Sequence, residues 1–395
     1  MWIGVQPIYT LPTCVSTAHA RRGGASMPDT PEDTYTDGGT EVETEVYARF
    51  DTRAGNPAIT PDGRLLVSNH PFPYEREPAY RVVEYVDDET VRPFPNEAWS
   101  TPPGDDGVGI HQLIGLRADP DGMVRILDIG NPAEGHLPKL VSWDTTADRL
   151  HRVDHVPAHA TTELSFMQDF AYDAVRNAIY IADLGLSDEP SDPGMPAVVA
   201  LDLETGRTRR VIEAHPSVLP EDGVTPIIEG EPVVQENAAG EYEPISAGLD
   251  GITIDPAFEW VYYCGITTES VYRIRAADLL DESLSEDELD ARIERYGDKE
   301  VCDGITVDTA GNVYITDMTN NAVGVTRPSG EYEVIARDDE KFLWPDGFCC
   351  GPDGHIYVTV TQLHRSPPFN RGKEESYTPF ELFRFESLAP VTVGR

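Results

Sequence analysis

The sequence predicts an all-β chain folded as a six-bladed β-propeller with one inserted acidic helix. Three observations predict it. A phrase made of a tight turn and a strand occurs six times: AITPDGRLLVSN (58–69), RADPDGMVRILDIGN (117–131), AYDAVRNAIYIADLG (171–185), TIDPAFEWVYYCGI (253–266), TVDTAGNVYITDM (306–318) and CGPDGHIYVTVTQ (350–362). The first turn residues, Thr60, Asp119, Asp173, Asp255, Asp308 and Gly351, lie 59, 54, 82, 53 and 43 positions apart, the scale of a four-stranded blade with its loops. Two strands are then left over, VYARF (46–50) and ELFRFE (381–386), and pairing them in one sheet would close a ring.

Taken in order, the chain begins with a segment unlike the rest. No acidic residue precedes Asp29, and Arg21 and Arg22 follow the mildly apolar stretch instead of leading it. Neither a general secretion signal nor a twin-arginine signal is well formed. The expectation is initiation at Met27, with 1–26 untranslated and 27–45 a disordered acidic lead-in to a propeller over 46–395. Further strands follow the repeats: KLVSWD (139–144) and LHRVDHV (150–156), then AVVALDLETG (197–206) and RTRRVIEA (207–214). In AVGVTRPSGEYEVIA (322–336), Pro328, Ser329 and Gly330 turn a hairpin. Two insertions break the rhythm. Residues 215–248, rich in Pro, Gly and Glu, form a long connection. In 277–298, Leu279, Leu280, Leu284, Leu289 and Ile293 recur at helical spacing, and Ser285 with Glu288 makes a capping box, so an acidic helix flanking the propeller is predicted.

Composition restricts the partners. The 70 acidic residues against 30 basic ones give a net charge of −40, and only Lys139, Lys299, Lys341 and Lys373 are lysines. With 39% hydrophobic residues and strand patterns throughout, the excess does not signal disorder. Scarce lysine among dispersed carboxylates resembles proteins of salt-accumulating halophiles, where self-repulsion is screened. Such a field repels phosphates, so nucleic acid is not an expected ligand. No apolar run reaches the roughly 18 residues a bilayer span needs, so no membrane partner is expected. The five cysteines, Cys14, Cys264, Cys302, Cys349 and Cys350, are odd in number and lack metal-type spacing, which reads as buried thiols. Cys349 and Cys350 should point to opposite faces of one strand.

The chemistry is sought where innermost strands converge on the channel. Five positions before each turn stand Gly55, Ile114, Gln168, Asp250, Asp303 and Asp346, each expected just ahead of its strand and facing the opening. Three are Asp in Asp-Gly pairs, and Asp169 follows Gln168. An Asp-Gly pair can simply turn the chain, its carboxylate capping backbone N–H groups. Three carboxylates at one mouth, however, repel unless a cation or a shared proton compensates. Asp128, Asp183 and Asp317, at strand ends, read as structural turn residues. Two chemistries suit the converging set. Asp250, Asp303 and Asp346 are candidate ligands for a hard divalent cation, Ca²⁺ foremost. Alternatively one of them, with raised pKa, serves as a general base. His364 is added as a catalytic candidate, and Asn56, His70, His111, Gln168, Asp169, Trp344 and Gln362 as ligand-binding ones. Phe72, Trp344 and Phe369 are candidates for an aromatic wall. No nucleophile-elbow serine, phosphate-cradling glycine loop or dinucleotide fingerprint occurs.

GNPAITPDGRLLVSNHPF (55–72), YRVVEYVDDETVRPFPNEAW (80–99), FMQDFAYD (166–173), ESVYRIRAADLL (269–280) and WPDGFCCGPDGHIYVTVTQLHRSPPFNRG (344–372) carry a resemblance over 46–386. The chain resembles the Yellow / major royal jelly protein family in its prokaryotic form. The resemblance implies a six-bladed propeller; some members bind small aromatic amines in the channel, and some are linked to dopachrome conversion. It thus implies binding of a small cyclic or aromatic molecule, with dopachrome-tautomerase-type isomerisation as the activity to look for. Members are mostly secreted, whereas this chain lacks a signal pattern and a disulfide-like cysteine set, so a cytoplasmic location is expected; the chain is also expected to be a monomer. More distantly it is similar to regucalcin-like gluconolactonases, which use a metal to polarise a lactone carbonyl. Their pattern has a Glu near the position of Gly55-Asn56. A calcium-dependent lactone hydrolase is the enzyme alternative; a binding or scaffold propeller without turnover is the other.

Overall fold

Four-stranded sheets form wherever the repeats recur. The computed structural model describes residues 42–394 apart from 132, 133, 188 and 191. The expected start at Met27, Cys14 and the lead-in up to residue 41 therefore lie outside the described residues. Strand β1 (Thr44–Phe50) comes first and belongs to the last blade. Blade 1 holds β2 (Ala54–Ile59), β3 (Leu65–Asn69), β4 (Val82–Asp87) and β5 (Thr90–Pro93). Blade 2 holds β6 (Leu116–Ala118), β7 (Met123–Asp128), β8 (Lys139–Asp144) and β9 (Arg149–His155). Blade 3 holds β10 (Met167–Asp173), β11 (Ala178–Asp183), β12 (Ala197–Asp202) and β13 (Thr208–Val211). Next come two small hairpins, β14 (Ile227–Ile228) with β15 (Glu231–Pro232), and β16 (Val234–Glu236) with β17 (Tyr242–Pro244).

Blade 4 holds β18 (Leu249–Ile254), β19 (Trp260–Gly265), β20 (Ser270–Arg275) and β21 (Glu294–Asp298). Blade 5 holds β22 (Cys302–Val307), β23 (Val313–Asp317), β24 (Ala322–Thr326) and β25 (Tyr332–Arg337). Blade 6 holds β26 (Pro345–Cys350), β27 (His355–Val360), β28 (Phe380–Glu386) and, outermost, β1. Thr44 pairs with Phe385 and Phe50 with Phe380, so the two ends of the chain close the ring in one sheet as the leftover strands predicted. Residues 42–45 are not disordered: the Val42 N–H donates to the Ile335 carbonyl, and β1 begins at Thr44.

The predicted single helix is corrected. Two short helices, α1 (Ala276–Leu280) and α2 (Glu286–Asp290), occupy its first part, and Glu294–Asp298 is strand β21. Blade 4 needs a fourth strand, and Arg273 pairing with Glu294 supplies it, so sheet pairing overrides the helical spacing. The capping box forms as read, with Ser285 and Glu288 bonding reciprocally. Leu279 and Leu289 still bury their side chains against blades 3 and 4.

Six apolar clusters fill the seams between successive blades, including the closing seam of blades 6 and 1. Cys349 and Cys350 face different seams, as alternation requires. Contacts of β26 with β2 and β22, and of β18 with β22 and β10, place the first strand of each blade innermost. A further cluster caps one end of the ring: Ile228, Val233, Ile245, Ile266, Val301, Met318, Trp344 and Leu363, with Phe72 and Phe369 against them. Among the described residues no helix is long and apolar enough to cross a membrane.

Candidate active site

Asp250, Asp303 and Asp346 lie inside their strands, not ahead of them. In β18, β22 and β26 the ladder shifts register at these residues, between Leu249 and Gly251, Cys302 and Ile305, and Pro345 and Phe348. The same shift marks Gln168 in β10 and Asn56 in β2. A bulge leaves a residue unpaired and re-aims its side chain. Five of the six innermost strands carry one at this level; Ile114 alone precedes its strand, β6.

The glycines next to these aspartates have a packing reason. A Cβ on Gly251 would stand 3.0 Å from the Asp303 carbonyl oxygen, one on Gly304 2.5 Å from that of Asp346, and one on Gly347 2.0 Å from Asn56 Oδ1. Each glycine thus receives the bulge of the next blade, and the bulges are drawn together around the axis. The turn aspartates do something different. Asp119, Asp173, Asp255 and Asp308 each accept backbone N–H groups from their own turn. Asp128, Asp183 and Asp317 also tie down loops, as read from the sequence. Among the described residues, no backbone N–H donates to the side chain of Asp250, Asp303 or Asp346.

Their partners are side chains. The Trp344 indole donates to Asp303 Oδ2 at 2.8 Å. The Asp250 carboxyl lies beside Gln168 and Asp303. Asp346 Oδ2 is buried without a hydrogen-bond partner. His70 Nδ1 accepts the Phe72 N–H at 3.1 Å, so the proton of the neutral ring sits on Nε2, which faces Asp346 Oδ2 at 3.9 Å. Burial and the nearby Arg53 push the His70 pKa down to about 3, so the ring is neutral at ordinary pH.

Desolvation dominates the carboxyls. It raises Asp250 well above the usual carboxylate range, reinforced by Asp303 and Asp346, and raises Asp346, reinforced by Asp303. Asp303 reaches about 6, held there against further rise by the indole and the Asp250 contact. Asp169, raised by the same burial, is paired with Arg117 at 2.5 Å and accepts the Phe170 N–H. Asp303 is deeply enclosed but keeps some accessible surface, whereas Asp250 and Asp346 are 2% and 1% exposed.

The remaining candidates divide. Asn56, His70, Gln168, Asp169 and Trp344 are at the cluster. Trp344, Phe369, Phe72 and His70 form a chain of ring contacts above it, at 5.9, 5.5 and 5.4 Å between successive centroids. His364 stacks on Trp344, but its Nε2 is bonded to Glu229 at 2.9 Å, so it is directed to the cap and not to the aspartates. Burial lowers its pKa to about 4 although Glu229 opposes this. His111 packs on His136, and its backbone N–H bonds to Asp128. Gln362 is spent on the backbone of Tyr377, which it both donates to and accepts from.

Three functional contributors were missed. Arg117 reaches across the axis from β6 to Asp169 and to the Phe348 carbonyl. Its signal was a charge within a strand of otherwise apolar residues, LRA. Arg53, 1% exposed, donates to the carbonyls of Thr361 and Phe72 and to Ser376 Oγ, beneath the cap. Glu229, at the tip of the β14–β15 hairpin, anchors the cap through His364 and Arg365. No local pattern marks either of these two.

Among the described residues, no three His, Cys, Asp or Glu side chains are arranged to hold a metal ion. A groove of about 620 Å³ lies at the other end of the innermost strands, lined by the turns of Asp255 and Asp308, far along the chain path from the bulges.

A six-bladed propeller whose capped end gathers bulged carboxylates is the class of protein this fold and site define. The sequence profile of the major royal jelly protein family matches residues 122–365, and the chain belongs to that family. No curated protein sequence matches the chain. Solved structures share its fold at low identity. A gluconolactonase from Xanthomonas campestris is similar at 11% identity and TM-score 0.50, over 87% of this chain and 89% of its own. A luciferin-regenerating enzyme is similar at 11% and TM-score 0.50, over 90% and 100%. A putative glucose dehydrogenase from Thermus thermophilus is similar at 12% and TM-score 0.50, over 87% and 99%.

Proposed function

We propose that this propeller binds a small cyclic or aromatic molecule at the capped end of its channel and moves a proton on it, as an isomerase of the dopachrome-tautomerase type. One observation carries the reading: Asp303, enclosed beside Asp250 with its Oδ2 held by the Trp344 indole at 2.8 Å, lies at the foot of the aromatic rings, and burial lifts its pKa to about 6. A base tuned close to neutrality combines the right protonation state with sufficient strength. In this reading Asp303 takes a proton from a ring carbon through the oxygen that the indole leaves free. Asp250, protonated, returns one at another position, so atoms balance without a co-reactant. The His70 Nε2–H and the unpartnered Asp346 Oδ2 orient the polar edge of the ring. Phe72, Phe369 and Trp344 cover its face and exclude water. The alternative, a calcium-dependent lactone hydrolase, would need Asn, Gln or carbonyl ligands as well, because no three His, Cys, Asp or Glu side chains among the described residues are grouped for a metal ion. A salt-rich cytoplasm remains our reading of the location.

The assay is the decay of the visible absorbance of dopachrome in molar KCl. The wild type should accelerate it, with a rate that rises through about pH 6, and Asp303→Asn should lose on the order of 100-fold. Saturable quenching of Trp344 fluorescence by dopachrome with no acceleration would instead leave a binding propeller, and the isomerase reading would be abandoned.

A further inference from the structure

Two thiols meet in the seam between blades 4 and 5. Cys264 lies in β19 and Cys302 opens β22, 38 positions later, and their sulfurs are 3.6 Å apart. Both side chains are buried to 0% exposure within the same apolar cluster. Beside them sits a buried cation: the Lys299 ammonium, on a residue 3% exposed, donates to the carbonyls of Thr268 at 2.6 Å and Glu300 at 3.0 Å. A cationic group near a thiol favours the thiolate, and Lys299 acts on Cys264 in this direction. Neither the spacing nor the count of the cysteines suggested this pair. The ring topology creates it by laying the second strand of one blade against the first of the next.

We infer that Cys264 and Cys302 are a redox-modification site, closing to an intramolecular disulfide between blades 4 and 5 when the protein meets a hydroperoxide. The step balances. The Cys264 thiolate attacks one peroxide oxygen, giving a sulfenic acid and hydroxide; the Cys302 sulfur then displaces hydroxide from it, and the thiol proton leaves as water. Two thiols are oxidised by two electrons, and hydrogen peroxide is reduced to two waters. The roles follow from the surroundings. The hydrogen bond with Cys302 and the Lys299 charge lower the Cys264 pKa against its burial, while burial keeps Cys302 protonated as the resolving thiol. Closing from 3.6 Å to a bond of about 2.05 Å moves each sulfur by about 0.8 Å, a shift within reach of the side chains. A small, uncharged peroxide is the oxidant class suited to a site this enclosed. The consequence is local. Cys302 immediately precedes Asp303, so the bond ties the bulge of blade 5 covalently to blade 4, which otherwise meet through packing and hydrogen bonds such as Asp298 N–H to the Gly330 carbonyl.

The test is a peptide map of the native full chain, treated with hydrogen peroxide in molar KCl, then denatured and alkylated. The expected result is the loss of two titratable thiols, with the tryptic fragment ending at Arg273 joined to the fragment beginning at Glu300. Cys302→Ser should lose that joined fragment. If this variant does not fold, the wild-type map decides alone. Retention of every thiol, sulfinic acid on separate cysteines, or a bridge to any other cysteine overturns the inference.

Discussion

Asp303 and Asp308, five residues apart, sit in opposite surroundings. Asp308 accepts the N–H groups of Ala310 and Asn312 and so holds the turn of blade 5. Asp303 accepts an indole N–H and touches another carboxyl, and burial lifts its pKa from 3.8 to about 6. The sign of its contribution follows. Between these two values the folded protein binds protons that the unfolded chain has released, so stability falls as pH rises through that window and stays lower above it. The loss is on the order of 1–3 kcal/mol, shared with Asp250. Asp303→Asn keeps an acceptor for the indole and removes the charge. At about pH 8 it should raise the unfolding free energy by that order, and the gain over wild type should vanish near pH ~4. Denaturant titrations of both proteins across that range check it; a variant less stable than wild type at about pH 8 would restore the turn-capping role.

The Asp-Gly pairs were legible as a recurring signal at a fixed offset, and they do gather. Their position within the strand was not legible. A bulge is two residues against one on a partner strand, and the partner lies outside any local window. For the same reason Arg53 and Glu229, whose contacts include partners more than 100 residues away, left no trace, whereas Arg117 stood out in an apolar strand and could have been read. The inserted segment failed in the opposite direction. Its leucines do face the core as read, but the need of blade 4 for an outer strand claimed residues 294–298.

The glycines give the element-scale account a test. Gly304 and Gly354 both follow an Asp, but for different reasons. A Cβ on Gly304 meets the Asp346 backbone oxygen at 2.5 Å, whereas Gly354 has φ of +83° and open space around it. Gly304→Ala must push blade 6 outward and should cost about 1–3 kcal/mol, as overpacking does, and displace Asp346. Gly354→Ala bears only left-handed backbone strain, about 1 kcal/mol, and should leave dopachrome turnover intact. Chemical denaturation with the activity assay separates them. Equal effects of the two changes on turnover would mean that inter-blade contact does not position the aspartates.

At the scale of the whole molecule, two electrostatic effects of salt oppose each other. Arginine ion pairs cross the surface between strands, as in Arg64 with Glu84 and Arg273 with Glu294, and salt weakens such contacts. Each is partly exposed and contributes little, up to about 1 kcal/mol. Against them stands self-repulsion among 70 acidic residues that 30 basic ones cannot neutralise. The repulsion is long-ranged and acts on the compact state far more than on the expanded chain, and screening shortens its reach from about 10 Å at ~0.1 M to about 3 Å at ~1 M salt. With a net charge of −40 the repulsive term exceeds the pair term, so added salt should stabilise this fold. The expected outcome is loss of the far-ultraviolet β signal below about 0.5 M KCl and a melting temperature that climbs towards molar salt. A neutral osmolyte at the same concentrations should not reproduce the low-salt rescue, because it does not screen charge. A melting temperature that is flat or falls along the KCl series would show the ion pairs to dominate and would remove the halophilic reading of the composition.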